Sequence, residues 1–233
     1  MVLAPKTGST GIVGLYQSPI GKKLLTGFTG IALMLFVVVH LLGNLTLFFS
    51  ASGYNQLAYV IESLGPLTAV IELMLLVIAL LHATLGLKIY IGKLKARPVG
   101  YSIPISDTDN TELASRESLS ARTMIFSGVV LAMFLVFHLL TFKFGPYYSL
   151  PESSHRDLAR LVFETFHKPG YTAGYVLVMS VLGLHLRHGF WSALQSVDIA
   201  TKAGLYAASA VIGSVIAVGF IGLPLAIYFG FIG

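Results

Sequence analysis

Not one of the 233 residues is cysteine. The chain therefore offers no thiolate to an iron–sulfur cluster, attaches no haem covalently and forms no disulfide. Charge is scarce as well. Asp, Glu, Lys and Arg together make up 11% of the sequence, against about 25% in a typical soluble domain. The first residues, MVLAPKTGSTGIVGLYQSP, lack the charged-then-apolar-then-small order of a cleaved signal peptide. Residues 1–23 read instead as a short cytoplasmic tail, free to rest on a partner.

What fills the chain is apolar. Hydrophobic residues account for 55% of it and the mean hydropathy is +0.82. Several runs reach the roughly 20 residues that cross a hydrocarbon core. The expectation is an all-α integral membrane protein with five spans, at about 24–49, 67–91, 123–144, 171–194 and 205–231. No soluble second domain and no sequence repeat is read. Gly65-Pro66 and Pro169-Gly170 punctuate the starts of spans two and four, and Pro224 is expected to kink or loosen span five.

The basic residues give an orientation. Lys6, Lys22 and Lys23 precede span one, and Lys88, Lys93, Lys95, Arg97, Arg116 and Arg122 join spans two and three. Arg187 and Lys202 flank the link from four to five. On the other side the first loop has no base, and the bases between Lys143 and Lys168 are offset by Glu152, Asp157 and Glu164. This bias puts the N-terminus in the cytoplasm and the C-terminus outside.

Four spans each carry a histidine: His40, His82, His138 and His185. An imidazole inside a bilayer is costly, so such residues face a bundle interior and mark function. At about 1.5 Å per residue, His40 lies ~26 Å from the inner boundary at Lys23, and His138 ~24 Å from Arg122. His82 and His185 lie ~24 Å inward from Pro66 and Pro169. Two histidines thus fall near the outer face and two near the inner face. Neutral imidazole is a good ligand for haem iron, and facing helices can clamp the metal from both sides. Gly43, Gly86 and Gly189 follow their histidines by three or four residues and lie on the same helical faces. These observations predict two haems in the bundle of the first four helices. Packing histidines bonded to backbone, or a haem-free proton relay, are the alternatives that the spacing leaves open.

The stretches LTGFTGIALMLFVVVHLLGNLTLF, ARPVGY, SARTMIFSGVV and GLHLRHGFWSALQS resemble the cytochrome b membrane subunit of succinate:quinone oxidoreductases and fumarate reductases. The likeness is to the single-chain, five-helix, two-haem type and runs from about Ser18 to the end. It implies that His82 and His185 bind a proximal haem b near the cytoplasm, and that His40 and His138 bind a distal one. It also implies a flavoprotein subunit and an iron–sulfur subunit on the cytoplasmic side, and a quinone in the membrane, menaquinone being favoured over ubiquinone. The chain would be inactive on succinate alone, would lie in the cytoplasmic (inner) membrane, and leaves room for a higher oligomer of the whole complex. A cytochrome b subunit of a formate dehydrogenase or hydrogenase is the other two-haem quinone cytochrome with such histidines.

Further residues take expected roles. His188 competes with His185 as the ligand of span four, and the His-x-x-x-Gly spacing to Gly189 favours His185 by resemblance. Arg122, Arg187, His188 and Thr26 lie at the inner boundary, where they would meet the propionates of the inner haem or support its ligands, with plain positive-inside anchoring as the alternative for the arginines. Glu72 lies about 9 Å below the outer face. As a buried carboxylate it would exchange protons with a quinone near the outer haem, with Glu62 as a weaker competitor. A second quinone pocket is conceivable near Ser18, Lys22 and Trp191. His155 and His167 read as solvated loop residues.

Overall fold

A computed structural model describes residues 14, 16, 18–96, 108–151, 155–195 and 202–233, with no statement made for the side chains of 96, 108–122, 195, 202 and 203. Among the described residues seven continuous α-helices follow in order: α1 Pro19–Leu45, α2 Ala51–Ser63, α3 Pro66–Ala96, α4 Thr108–His138, α5 Leu158–Phe166, α6 Pro169–Gln195 and α7 Lys202–Tyr228. Among the described residues there is no strand, only an isolated bridge between Ser149 and Arg156.

Four of these helices are long and apolar enough to cross a membrane: α1 with the turn after it (Pro19–Phe48), Pro66–Lys95 in α3, Thr123–Lys143 at the end of α4, and Gly204–Tyr228 in α7. The remaining expected span is α6, a 27-residue helix. It is less apolar because His185, Arg187 and His188 crowd its second half. α7 runs unbroken through Pro224, which is fully buried.

Local chemistry sets the helix ends. Ser18 Oγ accepts from Gly21 N–H at 2.9 Å and Pro19 occupies the first turn of α1. Ser50 caps α2 in the same way, through Gly53 N–H at 3.0 Å. Gly65, at φ +56, makes the turn into α3, a conformation that glycine enters without steric cost. Beyond His138, α4 widens into a π-helical turn, Leu139–Lys143. The chain then turns so tightly that a Cβ at Gly145 would collide with Thr141 O.

The short helices α2 and α5 lie together over one end of the bundle. Asn55 joins them, donating to Asp157 Oδ1 at 2.8 Å while its Oδ1 accepts from Ala159 N–H at 2.8 Å. Beneath them Leu47, Tyr54, Val162, Phe166, Tyr175, Leu223 and Ile227 form the main buried cluster. This capped end is where α1 and α4 finish and where α3 and α6 begin.

The outer surface is apolar. Leu35, Val39 and Leu42 on α1, Leu73 and Leu80 on α3, Phe126 and Met133 on α4, and Val211, Val215 and Val218 on α7 are each more than half exposed. Such a surface belongs in hydrocarbon, where attraction between helices comes from close packing instead of water exclusion. The closest packing is between α6 and α7. A Cβ at Gly213 would lie 2.7 Å from Gly183 O, and one at Gly183 would lie 2.8 Å from Ala217 Cβ. Where α1 meets α7, a Cβ at Gly219 would lie 2.9 Å from Leu41 Cδ2.

Candidate functional site

Two of the four histidines come together towards the end of the bundle away from α2 and α5, called here the open end. His82 on α3 and His185 on α6 have ring centres 6.4 Å apart, with planes at 72°. His82 Nδ1 lies 3.1 Å from Thr26 O and 3.3 Å from Thr29 Oγ1. A carbonyl only accepts, so Nδ1 must carry the proton and Nε2 keeps its lone pair. His185 reaches the same state by another route. Its Nδ1 lies 2.9 Å from Ser127 Oγ, whose own hydrogen goes to Met124 O at 3.0 Å, so the hydroxyl must accept from the imidazole.

The second pair lies towards the capped end. His40 on α1 and His138 on α4 have ring centres 5.8 Å apart with planes at 89°. His138 Nδ1 shares a hydrogen bond with Tyr175 OH at 3.1 Å. Aromatic rings flank both histidines: Phe36 stacks on His40 at 5.5 Å, and Phe134 lies 5.6 Å from His138.

The chain contains a repeat, contrary to the expectation of none. Phe28-Thr29-Gly30, Phe36 and His40-Leu41-Leu42 on α1 recur at identical spacing as Phe126-Ser127-Gly128, Phe134 and His138-Leu139-Leu140 on α4. Likewise Pro66, His82 and Gly86 on α3 recur as Pro169, His185 and Gly189 on α6. Each histidine pair joins equivalent residues of the two copies. The hydroxyl residue of each first helix, Thr29 or Ser127, serves an open-end histidine. The glycine beside it makes room: a Cβ at Gly30 would lie 3.0 Å from His82 Cε1, and one at Gly128 would lie 3.7 Å from His185 Cε1. On both helices the glycine precedes the capped-end histidine by ten residues (40 − 30 and 138 − 128), so the two levels are about 15 Å apart.

Thr29, Ser127, Tyr175, Gly30 and Gly128 are the site residues that reading one span at a time missed, and the repeat was the signal for the first-helix members. The glycines singled out from the sequence behave differently. A Cβ at Gly86 would meet nothing within 4 Å and one at Gly189 only Met124 Cε at 3.9 Å, while one at Gly43 would meet Leu57 Cδ2 at 3.6 Å.

The other expected residues are partly gathered. Thr26 joins the open-end pair through its carbonyl, its hydroxyl being given to Lys22 O at 2.7 Å. The His188 ring lies 5.6 Å from that of Trp191. Arg187 donates to Tyr206 OH and lies over that ring, 4.6 Å from its centre. The Arg122 side chain, most of the N-terminal tail and the ARPVGY stretch lie outside the described residues. Glu72 is not enclosed as expected. It pairs with Lys143 and both side chains are 46% exposed, because α3 turns this face outward. By the repeat, Glu72 is the counterpart of Tyr175. Glu62 is exposed on α2. His155 stacks on Tyr59 at 3.8 Å, and His167 Nδ1 donates to Phe163 O at 2.7 Å. At the capped end a cleft of about 330 Å³ opens beside α4, lined by Phe137, Thr141, Tyr148, Glu164, Lys168 and Tyr171 among others.

No group of three or more His, Asp or Glu converges among the described residues. Imidazole–metal bonds are about 2 Å long. Two imidazoles on opposite sides of one ion therefore have ring centres roughly 6.3 Å apart. The His82–His185 separation of 6.4 Å is at that spacing, and the His40–His138 separation of 5.8 Å falls about 0.5 Å short of it. The bonded Nδ1 atoms of His82, His138 and His185 and the open space beside Gly86 also fit a flat macrocycle held by Nε2 atoms. No protein-family model matches the sequence, and comparisons with characterised proteins and with solved structures found no significant match.

Proposed function

We propose that the chain is the cytochrome b membrane anchor of a succinate:quinone oxidoreductase or fumarate reductase. One observation supports the reading: two cross-helix histidine pairs at two levels, with ring centres 5.8 and 6.4 Å apart, close to the spacing of a doubly ligated metal. In this reading α6 is a fifth transmembrane helix, the capped end faces outward, and the protein lies in the cytoplasmic membrane. The open end, with Lys22, Lys23, Lys88, Lys93 and Lys95, faces the cytoplasm and receives the iron–sulfur and flavoprotein subunits.

His82 and His185 would hold an inner haem b and His40 and His138 an outer one. Bound haem supplies a one-electron carrier between the iron–sulfur partner and a membrane quinone. The protein's part is ligand control. Thr26 O and Ser127 Oγ take the Nδ1 protons, which fixes the ring tautomers and raises the basicity of Nε2. Tyr175 orients His138. Glu72, at the outer level and paired with Lys143, is the group we assign to proton exchange with the quinone, menaquinone being the expected one.

The test is a reduced-minus-oxidised spectrum of the purified complex with pyridine-haem quantification. Two b haems per chain are expected, one lost in His40→Ala or His138→Ala and the other in His82→Ala or His185→Ala. A colourless protein would refute the reading. A co-purifying flavoprotein supports the succinate or fumarate assignment, and a molybdenum or nickel protein in its place would transfer the chain to another quinone-linked enzyme.

A further inference from the structure

Arg156 stands just beyond α4, at the capped end. Its Nη2 donates to Phe142 O at 2.8 Å and reaches Pro146 O at 3.4 Å. The guanidinium also approaches the Tyr147 ring, 5.6 Å from its centre. Its Nε–H is buried and has no acceptor. Neither carbonyl carries a charge, and no carboxylate pairs with Arg156 among the described residues. Asp157 is occupied by the Asn55 side chain and Arg160 N–H, and Glu164 by Arg160 and Tyr148. A partly buried cation with an unused donor is poised for an anion.

The surroundings say where that anion would come from. Phe142 follows His138 by one helical turn, with ring centres 5.3 Å apart. Asn44 follows His40 by one turn, and its Nδ2 donates to His40 O at 2.7 Å. Its Oδ1 accepts from Tyr54 OH at 3.4 Å, and Tyr54 lies close enough to Arg156 to feel its charge. Both helices of the outer pair thus converge, one turn beyond their histidines, on Arg156, Tyr54 and Asn44.

Resting on the haem reading above, we propose that Arg156 is the anion anchor of the outer site. Its Nε–H binds a propionate carboxylate of the haem held by His40 and His138, while Nη2 stays on the α4 carbonyls. Guanidinium suits this because it keeps its charge and presents several donors in a fixed plane. A cation beside the carboxylates favours the reduced iron, so removing it lowers the midpoint potential of the outer haem and leaves the inner one alone.

The experiment is an optical redox titration of the whole complex with the two haem components resolved, on wild type, Arg156→Gln, Arg156→Lys and Glu152→Gln. The expected result is a lowered outer potential in R156Q, an unchanged inner one, and restoration of most of the loss in R156K. Unmoved potentials in R156Q, or an equal fall of both, would overturn the assignment. So would a rise of the outer potential in E152Q as large as the fall in R156Q, which would give the guanidinium to Glu152, a residue outside those described. Should R156Q not accumulate, R156K decides by infrared difference spectroscopy on haem carrying ¹³C at its propionates. The outer carboxylate band must shift, and an unmoved band sinks the anchor. A complex that purifies without haem would defeat both proposals, whereas two haems with unmoved potentials and band would defeat this one alone.

Discussion

Replacing Gly30 by alanine would test how closely the open-end pair depends on its neighbours, with Gly128→Ala as its matched control. At Gly30 the new methyl would lie 3.0 Å from His82 Cε1 and 3.4 Å from Nδ1; at Gly128 the distance to His185 Cε1 would be 3.7 Å. The second is ordinary contact. The first forces the imidazole aside, and Nδ1 cannot yield without stretching its bonds to Thr26 O and Thr29 Oγ1 at 3.1 and 3.3 Å. Overpacking of this kind costs about 1–3 kcal/mol, or roughly 5- to 140-fold in retention of whatever the pair holds. Alanine also favours helix over glycine by about 1 kcal/mol at either position. Global stability and site integrity should therefore separate. On the haem reading proposed above, Gly128→Ala should raise the thermal midpoint and keep the full inner haem. Gly30→Ala should gain less stability and lose inner haem, or shift its spectrum and potential, with the outer haem intact. Equal haem loss in the two variants, or none in Gly30→Ala, would show that the His82 contact does not govern the site.

Other outcomes follow from the same coordinates. Ser127→Ala removes the acceptor of His185 Nδ1 and should weaken inner haem retention about 10- to 100-fold, with Ser127→Thr restoring it in a haem-transfer competition. Gly213→Leu drives a side chain into Gly183 O and should destabilise the α6–α7 crossing by more than about 3 kcal/mol, visible as a large fall in thermal midpoint in detergent. Glu164 is held below the usual carboxylate range, first by the Tyr148 hydroxyl and then by Arg160. Its support of α5 is therefore present at neutral pH and lost as the pH falls through that lowered value. Hydrogen exchange in α5 should accelerate in acid, and at a higher pH in Tyr148→Phe; identical profiles would discount the bond. Glu72→Gln should slow quinone turnover and alter its pH dependence while both haems remain, and unchanged turnover would remove Glu72 from proton exchange.

Hydropathy made the spans legible because hydrocarbon demands long apolar runs, but it registers the span and not the helix. The first turns of α4, from Thr108, are polar and so escaped a reading that began near Thr123. α2 and α5 escaped for the opposite reason, being amphipathic helices too short to cross. The histidine levels were legible because helical rise converts residue number into depth. Hydrogen-bond partners such as Tyr175, 37 residues from His138, depend on how α6 rotates against α4, and no single-helix pattern encodes that. Arg156 looked like one more loop base until its neighbours were known.

Because each pair joins one copy of the repeat to the other, biosynthesis has a built-in order. The first two long helices enter the bilayer carrying His40 and His82, neither of which has its mate. α4 brings His138, yet the hydroxyl that orients it, Tyr175, arrives only with α6, as does His185. A ribosome halted before α6 would thus leave His40 and His138 both present but without Tyr175, and His82 without His185. Both sites therefore reach the geometry described here only once α6 has packed against α3 and α4.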